Sequence, residues 1–116
     1  MREIKFRAWD GDKMYDHVAW SNSRGYSSYY ETGPQSVTEI HVVEIMQYTG
    51  LKDKNGKDIY EGDILKVDDV NYKVSIGNDD QTLYVSFEEI HGDHFYQYCT
   101  RNREVIGNKF ENPELL

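Results

Sequence analysis

The chain has 116 residues and a net charge of −8, from 13 Lys and Arg against 21 Asp and Glu. That length holds one domain and excludes a two-domain enzyme, while the charge repels nucleic-acid phosphates and anionic membranes. The single cysteine, Cys99, excludes an internal disulfide. No apolar run approaches the ~20 residues of a membrane-spanning helix, and Met1-Arg2-Glu3-Ile4-Lys5 lacks the apolar centre of a signal peptide, so the expectation is a soluble cytosolic protein. Ten Tyr, four Phe and two Trp make 14% of the residues aromatic, which favours strands.

From Glu3 to Trp9, Ile4, Phe6 and Ala8 alternate with Lys5, Arg7 and Trp9, the period of a strand with one buried face; Trp9 falls on the solvent phase. Asp10-Gly11-Asp12-Lys13 reads as a turn, and Met14 to Val18 as the returning strand of a hairpin. Between Ala19 and Ser36 the periodicity stops in a Ser-, Gly- and Tyr-rich text. It reads as a long loop, of the kind that is functional or mobile when it exceeds ~12 to 15 residues. A poorly patterned hairpin using Tyr26 to Tyr30 is the other reading. Val37 to Thr49 is strand-like, and the phase slip at Val42-Val43 suggests a bulge.

Asn55-Gly56 is a strong turn signal. From Ile59 onward the chain reads as a meander: Ile64 to Val67, a turn at Asp68-Asp69, Tyr72 to Ile76, a turn at Gly77 to Asp80, then Leu83 to Phe87. Short strands at 8 to 12-residue spacing with acidic turns describe a small antiparallel barrel. Phe95 to Thr100 and Val105 to Gly107 add two short strands, and Asn112-Pro113 starts one helical turn.

His91, Asp93 and His94, with Glu88 and Glu89 nearby, are the only cluster resembling a metal site, and a metal-dependent hydrolase built on them is one reading. Zinc sites bring a second ligand pair at recognisable spacing, and His17, His41 and Cys99 give none, so a solvated loop is the ordinary reading and no metal or cofactor is expected. Cys99 reads as a small buried hydrophobe. The pairs Asp68-Asp69, Asp79-Asp80 and Glu88-Glu89 sit at turns, where Asp side chains bond to nearby backbone.

Trp9, Trp20, Tyr26, Tyr29 and Tyr30 are the candidate partner-binding residues. Tyr and Trp bury large area at low rotamer cost and anchor protein interfaces. The same aromatics suit stacking on single-stranded nucleic acid, but that mode needs a cationic groove, and Arg24 is the only cation between Trp20 and Tyr30.

The block Met46 to Leu65, with its Gly50-Leu-Lys-Asp-Lys-Asn-Gly-Lys-Asp58 core and Ile59-Tyr-Glu-Gly-Asp-Ile-Leu65 continuation, resembles the signature of the YopX family of bacteriophage and prophage proteins. So do the opening Arg2 to Asp10 and the closing Glu104 to Leu116, in the family's order. The resemblance implies a mostly β protein whose C-terminal half, 51–116, is similar to an SH3-type barrel. A β-hairpin region, 1–50 with its 19–36 loop, would pack on it within a single domain. It brings no catalytic residues. The expected function is therefore non-enzymatic: a phage or prophage accessory protein in the bacterial cytoplasm, contacting a host or phage protein, with self-association through an exposed strand edge.

Overall fold

The computed structural model describes residues 5–16, 18–21, 28–32, 37–40, 42–79, 82–92, 95–96 and 102–116. Strand β1 spans Phe6–Trp9 and β2 Met14–Tyr15. Three short strands follow, β3 at Val18–Ser21, β4 at Ser28–Thr32 and β5 at Val37–Ile40. Then come β6 at Glu44–Lys52, β7 at Asp58–Tyr60, β8 at Asp63–Val67, β9 at Val70–Asp79 and β10 at Thr82–Glu89. Strand β11 covers Phe95–Tyr96, β12 Glu104–Asn108, and a 3-10 turn Pro113–Leu115. The protein is all-β, with antiparallel pairing in three sheets, ordered β2-β1-β6-β7, β11-β10-β9-β8-β12 and β3-β4-β5.

Turn chemistry sets the hairpins. Asp10 Oδ1 accepts the N–H groups of Asp12 and Lys13 at 2.8 and 2.7 Å, closing the β1–β2 turn. Gly56, at φ +84°, completes the turn between β6 and β7 in a conformation only glycine takes without strain. Asp68 and Asp69 both have positive φ, 50° and 70°, which gives the β8–β9 turn the twist of its strands.

The core lies inside the C-terminal curl. Ile59, Leu65, Val74 and Phe87 cluster there, each at most 1% exposed, with Leu51, Tyr72, Val85 and Val105 packed around them. These residues come from six strands, so the sheets bend around this cluster, while Ala8, Met46 and Ile64, also fully buried, lie outside it. The curl is a half-barrel: among the described residues its end strands, β11 and β12, do not pair with each other.

Four local expectations change. The 19–36 stretch is not a continuous loop, because β3 and β4 occupy its two ends and pair through Trp20↔Tyr29 and Ala19↔Tyr30. The Val42-Val43 slip is a strand break between β5 and β6, not a bulge, and leaves Val43 63% exposed. Gly77 to Asp79 are strand and not turn, with Gly77 facing Tyr84 and Asp79 facing Thr82; Asp80 lies outside the described residues. Arg7, assigned to the solvent phase, is only 7% exposed, because the curl closes over that face of β1 too.

Candidate interaction surface

Two side-chain systems built on aspartates at turns fasten the half-barrel, and the first of them also ties the N-terminal hairpin to it. Asp63 is 1% exposed and accepts from Arg7 on Oδ1 at 2.6 Å and from the Tyr60 N–H on Oδ2 at 2.8 Å. Burial pushes its carboxyl up, against the opposing pull of Arg7 and of the Tyr60 N–H. The Arg7 guanidinium lies over the Tyr60 ring at 4.8 Å, and its Nε is buried without a partner among the described residues.

Asp53 does the corresponding work at the other end. Its Oδ1 accepts the N–H groups of Asn55 and Lys57, and its Oδ2 accepts that of Val105 at 3.1 Å, fastening the 53–57 turn to β12. Burial raises this carboxyl, but the three N–H groups outweigh burial and hold it below the ordinary carboxylate value.

Beside the first system is a patch whose spatial grouping sequence reading missed. Lys5 and Lys52 each place Nζ 2.5 Å from Asp58, which holds the Asp58 carboxyl down. Lys5 also lies over the Tyr48 ring, and Tyr48 meets Tyr60 at 5.6 Å. Lys5, Asp16, Lys57, Asp58 and Tyr60 line a cleft of about 270 Å³. The charges there largely cancel, so the cleft has no strong field of either sign. A second opening, of about 410 Å³, is lined by Lys54, Lys66, Asp68, Asp69, Asn102 and Glu104 and is equally mixed.

The candidate binding residues fall in different places. Trp9 ends β1, half-buried, and stacks on Phe110 with ring centroids 5.3 Å apart and planes 14° off parallel. Trp20 belongs to β3, and Tyr29 and Tyr30 to β4. Register sets Trp20 opposite Tyr29, and Tyr29 opposite Ile40 of β5, so the three stand in one row across the small sheet. Tyr30 stands one position along, between Ala19 and Glu39. Tyr26 lies outside the described residues, as do His17, His41, Asp93, His94 and Cys99. His91 is exposed in the turn after β10 with φ 65°. Among the described residues no three His, Cys, Asp or Glu gather as a metal-binding group, and no helix is long and apolar enough to cross a membrane.

The family model for the YopX protein matches residues 5–116. The chain belongs to the YopX family. Its fold is similar to the crystal structure of protein EF1440 from Enterococcus faecalis, at 28% identity and a TM-score of 0.63, covering 100% of this chain and 99% of that one. Among curated proteins, none matches this chain. The match therefore extends over the curl, the hairpin and the small sheet together, which makes β3 to β5 part of the YopX domain and not an appendage outside it.

Proposed function

We propose that this YopX protein is a non-enzymatic interaction module, an accessory protein of a phage or prophage acting in the host cytoplasm, and that its small sheet β3-β4-β5 is the partner-binding element. One observation carries this reading: the cross-strand row Trp20, Tyr29, Ile40, with Tyr30 beside it. A three-stranded sheet needs an apolar face covered to be stable in water, and this one carries aromatics of the kind that anchor protein interfaces. Among the described residues the core cluster Ile59, Leu65, Val74 and Phe87 lies in the curl. Trp9 and Tyr26 are the further contact candidates. The −8 charge disfavours the same aromatics as a strand-stacking platform for nucleic acid.

The test is affinity capture of the tagged chain from host lysate with nuclease present, comparing wild type with Trp20→Ala and Tyr29→Ala. The expected result is a stoichiometric partner protein retained by wild type and lost from both variants. Undiminished capture by the two variants together would remove the small sheet from the interface, and a partner lost on nuclease treatment would transfer the reading to nucleic acid.

A further inference from the structure

Asn55-Gly56 is the only Asn-Gly pair in the chain, and its side chain brings chemistry that the turn itself does not use. The backbone nitrogen of Gly56 is placed to close a five-membered ring on the Asn55 carboxamide, and glycine, having no Cβ, leaves that nitrogen unshielded. The surroundings are open. Both residues are exposed, and a Cβ built on Gly56 would meet nothing within 4 Å. The Asn55 carboxamide makes no hydrogen bond among the described residues, so its Cγ is free to turn toward the next nitrogen. The nitrogen is what the fold holds back. Gly56 N–H donates to the Asp53 carbonyl at 3.0 Å, Asp53 N–H donates to the Lys57 carbonyl at 2.8 Å, and Asp53 Oδ1 accepts from the N–H groups of Asn55 and Lys57 at 2.8 and 2.9 Å. Ring closure needs the Gly56 nitrogen deprotonated and swung onto Asn55 Cγ, and both steps break its bond to Asp53.

We propose that Asn55 is a site of spontaneous deamidation whose rate is set by local opening of the 53–57 turn. In the open turn the Gly56 nitrogen gives its proton to hydroxide and attacks Asn55 Cγ. The new C–N bond replaces the bond to the side-chain amide nitrogen, which takes a proton from water and leaves as ammonia. Water then opens the cyclic imide. Cleavage of the bond between the Gly56 nitrogen and Cγ gives aspartate, and cleavage at the Asn55 main-chain carbonyl gives isoaspartate. The net change is one water consumed and one ammonia released, with no oxidation or reduction.

The product changes the fold at a defined place. In isoaspartate the main chain runs through Cβ and Cγ, so it is one atom longer between residues 55 and 56, inside a turn closed by hydrogen bonds on both sides of that joint. Asp53, which closes the turn, also holds the Val105 N–H on Oδ2 at 3.1 Å; Lys54 N–H donates to the Arg103 carbonyl at 2.9 Å, and Lys54 pairs with Glu104 at 3.7 Å. A turn stretched at residue 55 therefore loosens the start of β12. This inference stands apart from the partner reading above, since it uses the half-barrel and not the small sheet.

Incubation of the full chain at mildly alkaline pH, followed by peptide mapping in a mass spectrometer, tests it. Asn55 is expected to convert before any other asparagine, at a rate about tenfold or more below that of the chain held unfolded in urea, because only the open turn reacts. Asp53→Ala is expected to speed the reaction several-fold. Phe87→Ala, which weakens the core away from the turn, separates local from global opening and is expected to speed it less. Where Asp53→Ala does not fold, Asp53→Asn replaces it, with the same ordering expected. Hydrogen exchange of the isoaspartate form is expected to show a faster Val105 amide. Conversion of another asparagine first, a folded chain that reacts at the unfolded rate or not at all, an Asp53 variant no faster than wild type, or Phe87→Ala matching the Asp53 variant would each overturn the proposal. A Val105 amide that exchanges at the unmodified rate would overturn the link to β12.

Discussion

The half-barrel and the small sheet are built from the same antiparallel hairpins, but they hold together by different means. In the half-barrel, β6 to β10 and β12 surround Ile59, Leu65, Val74 and Phe87, and buried aspartates fasten its turns. The small sheet is inserted between β2 and β6, and its rows mix the aliphatics Val18, Ala19, Val37 and Ile40 with Trp, Tyr, Thr, Ser and Glu. Binding residues concentrate on peripheral elements that a rigid scaffold positions.

The sharpest way to break the scaffold side of this contrast is to remove a partner from the buried ion pair. Asp63→Ala leaves the Arg7 guanidinium buried without its carboxylate and is expected to cost about 3 to 5 kcal/mol in denaturant unfolding. The double change Arg7→Met with Asp63→Leu is expected to recover most of that loss, because it removes both charges. Phe87→Ala opens a cavity in the core and is expected to cost about 3 to 5 kcal/mol. Asp53→Ala strands three backbone N–H groups at once and is expected to cost about 2 to 3 kcal/mol, with hydrogen exchange of the Val105 amide speeding up more than that of the β9–β10 amides.

A smaller effect comes from pH. Asp53 and Asp58 titrate below the ordinary aspartate value of 3.8 in the folded protein, so their contribution is present above pH 3.8 and is lost as pH falls through their folded values. Asp63 has the opposite sign: its folded value is raised, so its titration favours folding below 3.8 and opposes it as pH rises through that value. Thermal midpoints are expected to drop below pH 3.8, and Asp58→Asn is expected to flatten that drop. A midpoint that rises on acidification would reverse the assignment of which carboxylates dominate.

Sequence reading located the scaffold better than the insert, for physical reasons visible at particular residues. The meander from Ile64 to Phe87 alternates because one face meets the core, and Asn55-Gly56 marks a turn by backbone conformation alone. The strand pair β3–β4 was legible only as the second reading of its stretch, a poorly patterned hairpin, because Ser28 to Thr32 has no apolar alternation to detect. Arg7 was misplaced because burial on both sides of β1 is a property of the curl, which depends on Asp63, far away in sequence. The candidate binding residues were legible by type, since Trp20, Tyr29 and Tyr30 stand out in composition. Their alignment with Ile40 was not, because cross-strand register is a non-local pairing that no short window contains.

The claim that the half-barrel is the scaffold and the small sheet the binding element is tested most directly by replacing residues 18–40 with a short Gly-Ser linker and measuring thermal unfolding and partner capture on the same preparation. The expected result is a folded protein with a midpoint close to wild type that no longer retains the partner. A variant that fails to fold, or one that folds and captures the partner undiminished, would contradict it.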